Sequence, residues 1–331
     1  MIPKKIEEQD WERVMTGGQY GLLYRFLEQS PKTRDLIQSN CHFTFSHRNK
    51  EVSQPVFVFN NILALPSIFK MTPSEISLWN IAIEEDEDKR KMSAVHSSEL
   101  LAFLCFSRVM RSPLIFKGSD GIEREYSEVH REWPDHAINF RQPSRLDVFL
   151  VTSDKEHALA IECKFGEYLA DKDRTDDDRK DPLKTYMDKM GLSRDYEQMK
   201  ALASSKGDYL EIAKQIFAHA FGLKYFYRKP CDEHWAVDPK REQEFSRLKT
   251  IDYAEIVFDF GEISAGRLHD FSVLYSQAAI LLNRLQLTAD SRNGSNRVAI
   301  SFEPELLTYQ KVFQGKNSQF LSREIKDFYG L

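Results

Sequence analysis

The sequence contains no apolar segment long enough to cross a membrane. Its longest apolar runs are Leu100–Phe106 and Ala278–Leu282, whereas a membrane-spanning helix needs about 18 such residues. The N-terminal residues Met1–Lys5 are not followed by an apolar signal core, so nothing in the sequence indicates secretion. These two absences predict a protein of the cytoplasm with no membrane partner.

Cysteine is scarce, and so is any excess of charge of one sign. The four cysteines, Cys41, Cys105, Cys163 and Cys231, are widely separated and include no CxxC pair. This spacing excludes a disulfide framework and indicates reduced thiols in a cytoplasm. The formal net charge is −5, which excludes a histone-like coat of positive charge. It still allows an enzyme that holds nucleic acid in a local basic groove.

Motifs that bind nucleotides or zinc are also absent. No GxxxxGK[ST] or GxGxxG segment occurs, which removes a built-in nucleotide motor and a dinucleotide-binding fold. The histidines include no HxxxH or HxH pair, so a zinc site is not indicated. What the 331 residues do contain is a globular composition with 23 Phe and 13 Tyr, enough for one large domain or two modest ones.

Apolar periodicity predicts a mixed α/β fold. Residues 1–90 carry mainly helical spacing, with one short strand at Val56–Phe59. From Ser93 onward the order is helix, strand, strand, strand, helix, strand, which predicts a mixed sheet with helices packed on it. The predicted elements are a helix that Ser98 caps and Pro113 ends, strands at 123–133, 145–151, 157–165 and 254–260, a helix that Asp208 caps and that runs through Leu223, and a helix at 271–287.

Carboxylates interrupt two of these apolar strands. Asp147 lies in one strand, and Glu162 lies 15 residues later in the next. Because side chains alternate along a strand, Glu162 and Lys164 share one face, whereas Cys163 points to the other face and into the core. An antiparallel hairpin with a loop of this length brings Asp147 beside Glu162. Two carboxylates and an amine are therefore expected to converge on one point.

This combination of groups suits a hard divalent cation such as Mg²⁺, for which Mn²⁺ is expected to substitute. Asp147, Glu162 and the backbone carbonyl of Cys163 would supply half of an octahedral shell. A cation in that position lowers the pKa of a bound water and offsets charge in the transition state of phosphoryl hydrolysis. Lys164 would orient the attacking water or add positive charge. An exposed Glu–Lys pair with an Asp at a strand edge is the alternative, but it leaves both strand interruptions unexplained.

The two strand segments resemble a known group of nucleases. RLDVFL at residues 145–150 and AIECKF at residues 160–165 resemble the PD-(D/E)xK nuclease superfamily, although Leu146 stands where the superfamily name has Pro. That superfamily has an αβββαβ core, the restriction-endonuclease-like fold, and hydrolyses phosphodiester bonds with one or two Mg²⁺ ions. IECKFGEYL at residues 161–169 is similar to a branch of bacterial proteins assigned as restriction endonucleases. The resemblance covers residues 93–262.

The resemblance implies a Mg²⁺-dependent deoxyribonuclease with DNA as its partner. Asp147 and Glu162 would bind the metal, and Lys164 would assist the nucleophile. The same branch carries a helix with Gln and His four residues apart, which Gln215 and His219 match. Alternatives are a DNA repair nuclease or exonuclease, a catalytically idle member that binds nucleic acid or protein, and a structural protein whose motif is accidental. Cutting both strands of a duplex needs two sites, which makes a homodimer one assembly that the activity allows.

Other candidate residues and the domain limits are less sharply indicated. A third acid often precedes the sheet in this superfamily, and Glu99 and Glu128 compete for that position. Tyr168, just beyond the second active-site strand, is a candidate for substrate contact or for capping the sheet. The expected organisation is a mostly helical extension at 1–90, a nuclease core at 91–265, and a C-terminal helix and tail packed on the core at 266–331.

Overall fold

A mixed sheet of eight strands organises the fold. The structure is a computed structural model, and it describes residues 6–16, 20–48, 52–85, 92–134, 145–169, 182–205, 209–231, 234–290 and 297–331. The helices are α1 (Glu8–Thr16), α2 (Gly21–Glu28), α3 (Pro31–Asn40), α4 (Leu65–Ile68), α5 (Pro73–Glu85), α6 (Ser98–Phe106), α7 (Pro182–Lys189), α8 (Tyr196–Ser205), α9 (Leu210–Lys224), α10 (Pro239–Glu244), α11 (Ala265–Arg284), α12 (Tyr309–Val312) and α13 (Arg323–Tyr329). The strands are β1 (Cys41–Arg48), β2 (Val52–Phe59), β3 (Leu114–Lys117), β4 (Glu123–Pro134), β5 (Arg145–Thr152), β6 (His157–Lys164), β7 (Arg228–Cys231), β8 (His234–Val237), β9 (Thr250–Val257), β10 (Thr288–Asp290), β11 (Arg297–Phe302) and β12 (Leu307–Thr308). Among the helices described, none is both long enough and apolar enough to span a lipid bilayer.

The strand order of the large sheet is β10-β11-β9-β6-β5-β4-β3, and β12 also pairs with β9. Strands β3 to β6 form an antiparallel meander. Strand β9 runs parallel to β6, because the chain returns through the helices α7, α8 and α9 before entering it. Helices lie at both ends of the chain. The predicted α/β class, with a mixed central sheet, is therefore confirmed.

Different helices cover the two faces of this sheet. On one face α6 packs against β5 and β6, and Tyr309 of α12 contacts the Cys163 thiol. On the other face His219 of α9 reaches Glu162, and Phe226, just beyond α9, stacks on Phe149 of β5. Because both faces are covered, β6 is buried from Ala158 to its end. A polar side chain on β6 consequently has to find its partner inside the protein.

The N-terminal part of the structure differs from the sequence pattern in one respect. The predicted strand at 56–59 is the second half of β2, which pairs over its whole length with β1 in a hairpin that the sequence did not predict. Helix α6 is present as expected, but its N-cap is Ser97, whose hydroxyl accepts from the Leu100 amide at 3.2 Å. The predicted cap at Ser98 was wrong by one residue, since the side chain one position earlier reaches the first free amide.

The C-terminal part contributes strands to the sheet in addition to a helix. Strands β10 and β11 form an antiparallel pair, and β11 runs parallel to β9. Strand β12 continues beside β9 after a gap that lies next to residues 254 and 255. Helix α11 begins six residues before the predicted helix start at 271. The C-terminal segment thus adds strands to the sheet beyond β9, and β9 is the strand that borders the candidate site.

Candidate active site

Asp147 and Glu162 meet where the ladder between β5 and β6 ends. The last pair of that ladder is Val148 opposite Ile161, and continuing the register by one residue places Asp147 opposite Glu162. The amide of Cys163 donates a hydrogen bond to Oδ2 of Asp147 at 2.7 Å. This bond holds the Asp147 carboxylate across the end of the ladder and leaves its Oδ1 atom for another partner.

Glu162 and Lys164 form a buried ion pair on one face of β6. The Lys164 ammonium donates to Oε1 of Glu162, and the two residues are 5% and 6% exposed, respectively. Nε2 of His219 lies 3.2 Å from Oε2 of Glu162. The second carboxylate oxygen of Glu162 thus faces an imidazole from α9. A protonated His219 completes a second ion pair, so each oxygen of Glu162 has a basic neighbour.

Cys163 lies on the opposite face, as strand alternation requires. Its thiol is 1% exposed and contacts the Tyr309 hydroxyl, and burial raises the thiol's pKa well above the usual range. A buried thiol with a raised pKa is a poor nucleophile. The backbone of Cys163 takes part in the site through the amide that binds Asp147, and the role of its carbonyl oxygen as a metal ligand stays a prediction.

The charges of the site act strongly on one another. Burial raises the pKa of Asp147, and the Glu162 charge raises it further. Burial also opposes ionisation of Glu162, but the charges of Lys164 and His219 outweigh it and lower the pKa to about 2. Burial favours the neutral amine of Lys164, yet Glu162 and then Glu255 raise its pKa above the usual value. Near neutral pH the site therefore holds an ionised Glu162 beside an ammonium.

Glu255 is a fourth ionisable residue of the site, and the sequence reasoning missed it. Strand β9 places Glu255 directly beside Glu162 in parallel register, and its side chain is 0% exposed. The Tyr253 hydroxyl donates to Oε1 of Glu255 at 3.0 Å. Burial raises the pKa of Glu255 to about 7, and the charge of Lys164 opposes that effect. The available signal was a carboxylate between Ala254 and Ile256, the kind of interruption that singled out Asp147 and Glu162.

Gln215 and Glu99 lie on helices α9 and α6, which flank the pair of strands β5 and β6. Gln215 is partly buried and lies one turn before His219 on α9, so both side chains are on neighbouring parts of one helix face. Glu99 is in the first turn of α6, two residues after its N-cap, and is partly buried. Helix α6 packs against both β5 and β6. The roles of Gln215 and Glu99 stay predictions.

Glu128 does not belong to the Asp147 site. It lies on β4 opposite Val151, four residues along β5 from Asp147, which is a separation of about 13 Å. Its Oε1 atom is 2.9 Å from Nε2 of His130, and its Oε2 atom is 3.5 Å from the Lys155 ammonium. This distance disfavours Glu128 as the third acid, and the choice between Glu99 and Glu128 stays a prediction.

A separate group of possible metal ligands surrounds Glu128. In the part of the chain that the structure describes, one set of three His, Cys, Asp or Glu residues has all its ligand atoms within 4.8 Å of one another: Glu128, His130 and Glu244. Spacing along the chain did not indicate this group, because Glu244 comes from a helix far away in the sequence, and the expectation that no zinc site is present stays a prediction. The Lys155 ammonium lies 3.5 Å from one oxygen of Glu128 and Nε2 of His130 lies 2.9 Å from the other, so ordinary polar contacts explain this group.

Tyr168 is a structural residue. It is 0% exposed, and its hydroxyl donates to the carbonyl oxygen of Phe258. A buried side chain with this partner has no access to a substrate, so Tyr168 caps the sheet rather than contacting substrate. Oε2 of its neighbour Glu167 accepts from the amides of Phe165 and Gly166 at 2.7 and 2.9 Å, which stabilises the turn that follows β6.

The donor groups of the site fit a hard cation. Asp147 and Glu162 offer carboxylate oxygens, which Mg²⁺ prefers, and Mg²⁺ commonly retains several waters beside one or two carboxylates. Among the described residues, no third His, Cys, Asp or Glu side chain completes a close set with these two. The acids Asp147, Glu162, Glu167 and Glu255 act on the site together with Lys164 and His219, so acidic groups outnumber basic ones. An added cation would reduce that imbalance.

The arrangement contains the parts of a hydrolytic centre. Two adjacent carboxylates can hold a cation, and a lysine beside them can orient a water or stabilise developing negative charge. Asp147 retains partial exposure, which gives this group of buried residues a route to solvent. Comparison of the chain with models of protein families, with curated proteins and with solved structures finds no match.

Proposed function

We propose that this protein is a Mg²⁺-dependent nuclease that hydrolyses DNA phosphodiester bonds as a restriction-type endonuclease. The observation that carries the proposal is the meeting of Asp147, Glu162 and Lys164 at the end of a two-stranded ladder. An exposed Glu–Lys pair with an unrelated Asp would not explain why these residues interrupt apolar strands and share one buried site. DNA is assigned as the substrate through the resemblance of residues 145–150 and 160–165 to nuclease strands.

The order of elements around the site supports a restriction-endonuclease-like core. Helix α6 precedes the antiparallel strands β4, β5 and β6, and the chain then passes through α9 to reach β9, which is parallel to β6. This order corresponds to the αβββαβ arrangement of the superfamily. Strand β3, helices α7 and α8, the β7–β8 pair and helix α10 are additions to it. The proposed core accordingly runs from α6 to β9.

Each residue has a defined part in the proposed reaction. Asp147 and Glu162 would hold Mg²⁺, which supplies a polarised water and offsets charge on the phosphate. The Cys163 amide orients Asp147 through its hydrogen bond. Neighbouring carboxylates raise the pKa of Lys164 above its usual value, and Lys164 would act as a donor and a positive charge. His219 faces Glu162 and would fix the orientation of that carboxylate.

Cleavage assays with defined substrates and ions test this function. Purified protein is incubated with supercoiled plasmid, linear duplex and single-stranded DNA, each with Mg²⁺, Mn²⁺ or EDTA. We expect Mg²⁺ or Mn²⁺ to support conversion of supercoiled plasmid to nicked or linear forms, and EDTA to prevent it. The Glu162→Gln protein, purified in the same way, controls for contaminating nucleases.

The same assays separate the alternatives. Degradation of linear DNA without nicking of supercoiled plasmid would favour an exonuclease. Metal-dependent binding of DNA without cleavage would favour the catalytically idle alternative. Identical cleavage by the wild-type and Glu162→Gln proteins would contradict the proposed function, because it would show that the Asp147–Glu162 site is not responsible.

The supporting residues should have graded effects. We expect Glu99→Gln and Gln215→Ala to lower the cleavage rate without preventing folding, because α6 and α9 both flank the strand pair. Glu128→Gln should leave the rate nearly unchanged, since Glu128 is about 13 Å from Asp147 along the sheet. Initial cleavage rates and far-UV circular dichroism of the three variants provide the measurement. Loss of cleavage in Glu128→Gln alone would mean that the third acid comes from β4.

A further inference from the structure

Glu255 is a buried acid, and only one of its two carboxylate oxygens accepts a hydrogen bond. Its Oε1 atom accepts from Tyr253, whereas its Oε2 atom is buried and has no hydrogen-bond partner among the described residues. Leaving a carboxylate oxygen without a partner in the protein interior is costly. The Oε2 atom of Glu255 can therefore accept a hydrogen bond from a neighbouring donor.

The surroundings of Glu255 fix its position. The amide of Glu255 faces the gap between β11 and β12 and donates to the Tyr275 hydroxyl of α11 at 3.3 Å. Tyr253 holds one carboxylate oxygen. These two tyrosines anchor the backbone and Oε1, which leaves Oε2 as the one atom of the carboxylate that can take a new donor.

Lys164 is a positively charged donor near Glu255. It lies two residues after Glu162 on β6, on the same face of the sheet as Glu255. Glu255 has the second largest effect of any charge on Lys164, after Glu162. In the form described, however, the Lys164 ammonium is bonded to Oε1 of Glu162. Glu162, rather than Glu255, thus accepts the hydrogen bond of the Lys164 ammonium.

A cation bound by Asp147 and Glu162 would favour Glu255 over Glu162 as the acceptor of the Lys164 ammonium. Oε1 of Glu162 accepts from the Lys164 ammonium, and its Oε2 atom lies 3.2 Å from Nε2 of His219. A divalent cation and an ammonium on the same oxygen repel each other strongly in a buried site. A metal that binds Oε1 of Glu162 would therefore displace the Lys164 ammonium toward another acceptor.

We infer that Glu255 is a positioning residue that receives the Lys164 ammonium when Glu162 binds the metal. This inference rests on the proposed metal site and adds to it a second position for Lys164. Transfer of the ammonium to Oε2 of Glu255 satisfies that buried atom and frees Oε1 of Glu162. It also keeps Lys164 charged and fixed beside the metal, where the proposed reaction needs it. Glu255 itself makes no contact with the metal.

A double-mutant cycle on metal affinity tests the inference without using activity. The dissociation constant for Mn²⁺ is measured by titration calorimetry for the wild-type, Glu255→Gln, Lys164→Met and doubly substituted proteins. In the wild-type background we expect Glu255→Gln to weaken Mn²⁺ binding about tenfold, a size usual for coupled neighbours. In the Lys164→Met background, where no ammonium has to move, we expect a change of less than about twofold.

Two controls keep the result specific. Asp252→Asn removes another buried acid of β9, one that bonds to the Ser119 hydroxyl on the opposite face, and it should leave Mn²⁺ affinity unchanged. Glu255→Met, which is neutral and similar in length, is measured beside Glu255→Gln so that the result does not depend on one variant folding. Thermal melts without metal establish which proteins are folded.

The outcomes separate this inference from the proposed function. Equal weakening by Glu255→Gln in both backgrounds would show that Glu255 acts on the metal directly, and would overturn the inference. Mn²⁺ binding that is lost in Asp147→Asn but unaffected by Glu255→Gln and Glu255→Met would overturn the inference alone. A wild-type protein that binds no Mn²⁺ would overturn the metal site and this inference together.

Discussion

Replacing Glu162 with Gln is expected to lower the rate of DNA cleavage by at least about a thousandfold. Gln has the same length and can still accept from Lys164, but it lacks the negative charge that holds a cation. Lys164→Met should have an effect of similar size, because it removes the ammonium that the proposed reaction uses. Single-turnover cleavage of a duplex substrate, with enzyme in excess, measures both effects independently of product release.

The matched control for these variants is Cys163→Ser. The Cys163 thiol lies on the opposite face of β6 with Tyr309, and the serine variant keeps the backbone amide that binds Asp147. We expect Cys163→Ser to retain most of the wild-type rate. Lys164→Met leaves Glu162 without its ion-pair partner, which is costly in the interior, so thermal melts must accompany the rates. A folded Cys163→Ser protein as inactive as Glu162→Gln would contradict the assignment of the two faces.

The sequence predicted the β5–β6 hairpin almost completely. Strand β5 extends one residue beyond the predicted end at 151, and β6 ends one residue before the predicted end at 165. Apolar runs of this length, separated by a polar turn, leave little choice of structure. Because alternation within a strand is purely local, the placement of Glu162 and Lys164 on one face and Cys163 on the other followed from the chain alone.

The contribution of β9 and α9 was not predictable in the same way. Glu255 is 93 residues from Glu162 in the sequence, and only the parallel register of β6 with β9 brings them together. Likewise, the contact of His219 with Glu162 depends on how α9 crosses the sheet. Register and crossing are set by tertiary packing, which spacing along the chain does not encode. The sequence indicated His219 as one member of a Gln–His pair but did not indicate its contact with Glu162.

Strands β10, β11 and β12 show the same limit for the fold. Each is short, at three, six and two residues, and β11 alternates exposed with buried positions at its start. Such segments become strands because β9 offers an edge for pairing. The partner, rather than the segment's own propensity, determines the structure.

Asp147→Asn is expected to raise the free energy of unfolding of the metal-free protein at pH 8. Burial and the Glu162 charge raise the pKa of Asp147, so the folded protein binds a proton that the unfolded chain has released. Stability of the metal-free protein therefore falls as pH rises above the usual Asp pKa of about 4. An amide at position 147 does not titrate, and it can still accept from the Cys163 amide, so the variant should lose less stability with rising pH.

Metal should stabilise the wild-type protein but not the Asp147→Asn protein. If Mg²⁺ binds wild type with a dissociation constant of about 1 mM, about 10 mM Mg²⁺ stabilises it by about 1.4 kcal/mol. That corresponds to a rise of a few degrees in Tm for a chain of this size. Asp147→Asn should show no such rise, since one of its two cation ligands is neutral. Melting curves at pH 5 and pH 8, with and without Mg²⁺, measure both effects. Wild-type and variant curves that coincide under all four conditions would show that Asp147 and Glu162 do not share a cation site, since independent carboxylates would produce neither the pH-dependent difference nor the difference in response to metal.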